Sequence, residues 1–167
     1  MCWYKGALAF VFMLLTACQW SPVYEKSEKA AIPLTADVLV EPIPEETGRI
    51  IRQQILNDLN PENIEGKKRY KLQVTVSQEK TSNVGIVSDN TATQAIMKMS
   101  AAYTLTDTKT KKKLLSSTAR VASNYNILRK EPYATITAEE NTKKSLCLML
   151  ADQIALQVAK TLKQLEK

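Results

Sequence analysis

The sequence predicts an α+β fold, a two-layer sandwich in which a four-stranded sheet carries two helices on one face. Three observations predict it. Three segments between Tyr70 and Leu128 alternate apolar and polar residues with period two, and two further segments repeat apolar residues at helical spacing. The order, strand, helix, three strands, helix, then leaves both helices the apolar side of the sheet to cover and keeps the other side polar.

Taken in order, the first element is an export signal. Lys5 supplies a positive charge, Ala7 to Leu15 an apolar core, and Leu15-Thr16-Ala17-Cys18 a lipobox. The run is too short to span a hydrocarbon core of about 30 Å, which takes about 20 apolar residues. The pattern resembles that of bacterial lipoproteins, which implies cleavage before Cys18 and acylation of its sulfur and new amine. Two or more chains anchor stably where one does not. Gln19 stands where an aspartate would, in such lipoproteins, signal retention at the inner membrane, so the expected destination is the outer membrane. Residues 1–17 are thus read as signal, 18–35 as a lipidated tether carrying Pro22 and Pro33, and 36–167 as one folded domain.

Ala36 to Ile43 reads as a short apolar strand ended by Pro42 and Pro44. Pro44, Glu45 and Glu46 suit a helix start, and Ile51, Ile55 and Leu59 recur until Asn60-Pro61, predicting a helix over 45–59. Tyr70, Leu72, Val74 and Val76 alternate with polar residues, as do Met97, Met99, Ala101, Tyr103 and Leu105. The third such strand, between Leu114 and Leu128, is less clean. Thr106 to Lys113 is then a hairpin turn, and Lys80 to Thr93, with Gly85 and Ser88-Asp89-Asn90, a longer loop. The simplest pairing is antiparallel. From Ala138 to about Leu165 the set Leu146, Leu150, Ile154, Val158 and Leu162 advances by four, predicting one long amphipathic helix opened by a Thr137-x-x-Glu140 capping box.

The catalytic inventory is poor. The chain has no histidine, which removes the commonest general base and metal ligand together. Glu139-Glu140 belongs to the capping box. Ser145 after Lys144 points differently on a helix and makes no Ser-Lys pair. Of three cysteines, Cys2 leaves with the signal, Cys18 is acylated, and Cys147 sits beside Leu146 and Leu150 as a buried small hydrophobe. These readings point away from an enzyme, and no metal or cofactor is expected. The net charge of +6, of which Lys5 departs with the signal, favours phosphate-bearing partners; export makes lipid a better partner than nucleic acid.

Several segments in order then carry a family resemblance: Cys18-Gln19-Trp20-Ser21-Pro22-Val23-Tyr24, Ala102-Tyr103-Thr104-Leu105-Thr106-Asp107, a Lys-rich hairpin, Ala122-Ser123-Asn124-Tyr125-Asn126, Tyr133-Ala134, Ala138-Glu139-Glu140 and Leu150-Ala151-Asp152-Gln153-Ile154. Together they resemble the lipopolysaccharide-assembly lipoproteins, the LptE-like family in its alphaproteobacterial form. The chain departs from that pattern at Gln19, where glycine is usual, and at Thr110-Lys111-Lys112-Lys113, where a Thr-Gly-Lys turn is usual. The resemblance implies an outer-membrane plug in the lumen of an LptD-like β-barrel, assisting barrel assembly and the delivery of lipopolysaccharide to the cell surface.

Lipopolysaccharide offers clustered phosphates, so a surface that binds it needs several cations close together. Lys67-Lys68-Arg69 and Lys109 with Lys111, Lys112 and Lys113 meet at one end of the sheet if the strands between them pair antiparallel, and these seven residues are the candidate lipopolysaccharide rim. Solvated turn lysines are the bland alternative. Two rival functions stand beside the plug: an auxiliary lipoprotein of an envelope lipid transporter, and a lipid-anchored hydrolase, for which the convergent acids or activated serine are missing.

Overall fold

The computed structural model describes residues 34–86, 92–128 and 131–165. The signal, Cys18, most of the tether, and Arg129-Lys130 lie outside the described residues. Within them the elements run in the expected order: a 3-10 turn Leu34–Asp37, β1 Val38–Val40, α1 Glu45–Leu59, β2 Tyr70–Ile86, β3 Ala92–Asp107, β4 Lys113–Asn126 and α2 Pro132–Leu165. The four strands form one sheet in the order β1-β2-β3-β4. β2, β3 and β4 pair antiparallel, whereas β1 pairs parallel with β2, Val38 opposite Tyr70 and Val40 opposite Leu72. The parallel pairing follows from the helix between them: α1 carries the chain back to the end where β1 began.

The core lies between the apolar sheet face and both helices. Ile51 and Ile55 of α1 are fully buried, as are Leu72 and Leu105 of the sheet. On α2 the predicted stripe Leu146, Leu150, Ile154, Val158 and Leu162 is at most 1% exposed, widened by buried Cys147, Ala151 and Ala155. Leaving water with that stripe stabilises the sandwich by about 1.5–3 kcal/mol per large side chain. Close packing also explains two glycines. A Cβ on Gly48 would stand 2.6 Å from Ile43 Cγ2 and 2.8 Å from its carbonyl oxygen, and one on Gly66 would run into the Ala36 carbonyl.

Four expectations are corrected. The apolar segment 36–43 is a strand for only three residues, because its start coils into the 3-10 turn and Pro42 cannot continue a ladder. The predicted hairpin turn is tighter, the chain turning within Thr108 to Lys112. The predicted loop from Lys80 to Thr93 is mostly strand: β2 runs to Ile86 and β3 starts at Ala92. A β-bulge between Ser77 and Lys80 shifts the register, so Val76 pairs with Ala101 but Thr81 with Met97. The extra residue moves the inward set from even to odd positions and breaks the alternation that marks a strand. Finally, α2 begins at Pro132, not near Ala138, so Thr137 lies inside the helix instead of capping it. Pro132 suits the first helical position, where its missing N–H costs nothing. The Leu128 N–H donates to Thr135 Oγ1 at 2.9 Å and ties the first turn of the helix to the residues that leave β4.

Candidate functional site

The register settles where the basic residues go. Tyr70 pairs with Asp107, so the Lys67-Lys68-Arg69 segment entering β2 lies beside the β3–β4 hairpin. The Thr108 N–H donates to the Arg69 carbonyl at 2.9 Å, and the Thr108 hydroxyl reaches the same oxygen at 2.6 Å. All seven predicted rim residues therefore sit at one end of the sheet, and all are exposed.

They are not equivalent. Arg69 is engaged: its guanidinium pairs with Asp107 at 3.4 Å and lies 5.4 Å from the Tyr70 ring centroid. Among the described residues the ion pairs are this one and Lys71–Glu41, so the six lysines of the rim carry no counter-ion within pairing distance. Lys68 and Lys111 both adopt left-handed backbone, with φ of 49° and 57°. At Lys111 that conformation accounts for the departure noted in the sequence: the turn keeps the geometry that glycine would favour and fills it with a charged residue instead.

Asp107 organises the end, and the sequence reading had not singled it out as a site residue. It is 4% exposed, the one buried acidic or basic residue among those described. One oxygen accepts the Lys109 N–H at 2.8 Å and the Thr110 N–H at 3.1 Å, while the other meets Arg69. The Thr110 N–H first, then the Lys109 N–H and the Arg69 charge, hold its carboxyl below the usual carboxylate range, against the opposing pull of burial. The legible signal was an aspartate followed by Thr-Lys-Thr, which is how a side chain closing its own turn is spelled. Asp37 does a similar task next door, its Oδ1 accepting the Lys67 N–H at 2.6 Å.

The second surface is the uncovered face of the sheet. Gln73, Thr104 and Ser116 align across three strands, and Ser77, Ser100 and Arg120 across the same three. The described carboxylate that meets this face is Glu41, just past β1, and it is paired with Lys71; Leu39, Ile96, Ala102 and Ala122 interrupt the polar surface. It offers hydroxyls, amides and a few cations, with no concave site. The cleft between the Pro42–Pro44 turn and Gln73–Val76 measures about 210 Å³, below the roughly 300 Å³ at which small-molecule pockets begin. A groove of about 500 Å³ lies between Arg49, Ile50 and Gln53 of α1 and Leu148 of α2, open to solvent. Neither contains a buried titratable group. Cys147 is fully buried, as expected. Among the described residues no cluster of His, Cys, Asp or Glu could hold a metal ion.

Elsewhere two carboxylates meet across the helices. Gln54 Nε2 donates to Asp58 at 3.0 Å and to Asp152 at 3.3 Å. Burial first, then the Asp152 charge, pushes the Asp58 carboxyl up, and Gln54 pulls it partly back.

No family model and no curated protein matches the chain. Solved structures do. The fold is similar to that of a protein of Caulobacter crescentus CB15 classed as a lipoprotein, with TM-score 0.60 and 23% identity over 78% of this chain and 93% of that one. It is likewise similar to the rare lipoprotein B of Shewanella oneidensis, with TM-score 0.61 and 14% identity over 78% and 98% of the two chains. A minor lipoprotein of Acinetobacter baumannii gives 0.54 and 12% over 75% and 92%. The two-layer α+β fold of this chain is thus one that bacterial lipoproteins share, and at these identities it is the fold that the likeness establishes.

Proposed function

We propose that this chain is a lipoprotein acylated at Cys18 and sorted to the outer membrane, where it seats in the lumen of an LptD-like β-barrel and assists barrel assembly and lipopolysaccharide delivery. One observation carries the reading: a sheet whose outer face is mainly hydrophilic, rich in hydroxyls and amides, its one described carboxylate, Glu41, already paired with Lys71, and backed by helices that complete the core on the other side. The interior of a large barrel is polar, and such a face can meet it through hydroxyls and amides without burying an unpaired acid. The lipobox and the lipoprotein fold support the same placement. The role is a binding and positioning one and the protein is not an enzyme; the rim of Lys67, Lys68, Lys109, Lys111, Lys112 and Lys113 supplies cations for lipopolysaccharide phosphates.

Gentle detergent extraction of the acylated protein followed by affinity purification tests the reading. A large β-barrel protein is expected in stoichiometric amount, and depletion of the chain is expected to leave that barrel misassembled and the surface short of lipopolysaccharide. An inner-membrane permease complex in its place would favour the transporter adaptor.

A further inference from the structure

The six lysines are not merely together; they lie beside the place where the chain enters the folded domain. The chain arrives at Leu34, and the turn it makes there, Leu34–Asp37, lies directly against the segment that begins the rim: the Asp37 carboxylate holds the Lys67 N–H at 2.6 Å, and Val38 pairs with Tyr70. Ala36 packs so closely on Gly66 that no side chain fits there. Arg69 in turn holds the Thr108 N–H of the hairpin. Chain entry, the Gly66–Arg69 segment and the Lys109–Lys113 turn are therefore neighbours along one end of the molecule.

From these contacts we infer that, before the domain meets any barrel, the rim is a foot: its lysines rest on anionic phospholipid headgroups of the leaflet that holds the Cys18 anchor, and stand the domain with its strands pointing away from the bilayer. The inference rests on acylation at Cys18 but not on the barrel partner. Charge complementarity supports it. Asp37 and Asp107, the acids built into this end, already serve backbone N–H groups and Arg69, which leaves Asp58 in the last turn of α1 and Glu62 and Glu65 of the following connection against six uncommitted lysines. Tether length supports it too. Fifteen residues separate Cys18 from Leu34, so Leu34, where the foot begins, stays within about 60 Å of the anchor even at full extension. Within that reach, a lysine that comes inside a Debye length of an anionic surface, about 8 Å at physiological salt, strengthens the attraction about five-fold, and the gain shrinks as salt rises.

The test uses the acylated protein in phosphatidylcholine vesicles with and without phosphatidylglycerol, labelled with a fluorophore at Thr110→Cys or at Asn124→Cys. These sites are exposed at opposite ends of the sheet, about 35 Å apart along the strand. Energy transfer to a headgroup acceptor reads the height of each. The Thr110 label is expected close to the bilayer and the Asn124 label far from it. Adding phosphatidylglycerol should sharpen the difference and raising salt should erase it. Replacing all six lysines with glutamine should also erase it, while the six-arginine protein keeps it. Equal heights for the two labels on anionic vesicles, or a difference that ignores salt and charge, would overturn the foot. So would a difference that develops only when lipopolysaccharide is added. A chain that is recovered without acylation and off the vesicles would overturn the anchoring reading itself, and the foot with it, so the two failures are told apart by the lipid on Cys18.

Discussion

Asp107 shows how much one side chain arranges. Its two oxygens close the β3–β4 turn and fix Arg69, and through them bring two stretches of lysine to one end. Because its carboxyl titrates lower in the folded chain than in the unfolded one, its charge stabilises the fold above the ordinary carboxylate range, and that contribution disappears as pH falls through the folded value. Asp107→Asn is expected to lower the melting temperature at pH 7 and to melt together with the native protein once the pH is acidic enough to protonate Asp107 in both states. A melting series against pH checks this. A constant gap between the two proteins down to strong acid would show that the charge is not what matters. Lys111 is the opposite case, a residue whose backbone is awkward and whose side chain is exposed. Lys111→Gly should leave stability unchanged or raise it by up to about 1 kcal/mol, measured by urea unfolding, since the left-handed conformation costs a non-glycine residue about 1–2 kcal/mol and glycine loses part of that gain to chain entropy.

At the scale of elements, α2 carries the most weight. Leu150 is fully buried against the sheet and Leu156, six residues on, is 54% exposed. Leu150→Ala should therefore cost about 2–5 kcal/mol by leaving a cavity, and Leu156→Ala less than about 0.5 kcal/mol; chemical denaturation of the two variants measures the contrast. The same contrast explains why α2 could be read from its sequence. A stripe that advances by four cannot be confused with a strand, and α1, closed by Asn60-Pro61, was legible to the residue. The far half of β2 was not. Its bulge at Ser77/Lys80 switches the buried face in mid-strand, and a polar run with Gly85 then looks like a loop. The start of α2 was obscured differently, because Thr137 and Glu140 imitate a cap within a helix that Pro132 had already begun.

For the molecule as a whole, the meeting of the two lysine runs was predictable from antiparallel pairing alone, since pairing decides which strand ends are neighbours. What could not be read was the loss of Arg69 to Asp107, which depends on a contact between residues 38 positions apart. If the remaining lysines bind lipopolysaccharide phosphates, neutralising Lys111, Lys112 and Lys113 together should weaken binding more at low salt than at high salt, because exposed charges are screened beyond a Debye length of about 8 Å at physiological ionic strength. Titration of lipopolysaccharide into the folded triple variant at two salt concentrations decides it, and an unaltered isotherm would remove these three from the binding surface.

Among the described residues, β1 covers only Tyr70, Lys71 and Leu72 of the 17-residue β2, and no strand lies on the outer side of β4. Two rows of backbone amides and carbonyls are thus left on offer to any passing polypeptide in extended form. Overproduction of the chain should consequently favour laddered, edge-to-edge aggregates, a liability written into the hydrogen-bonding pattern.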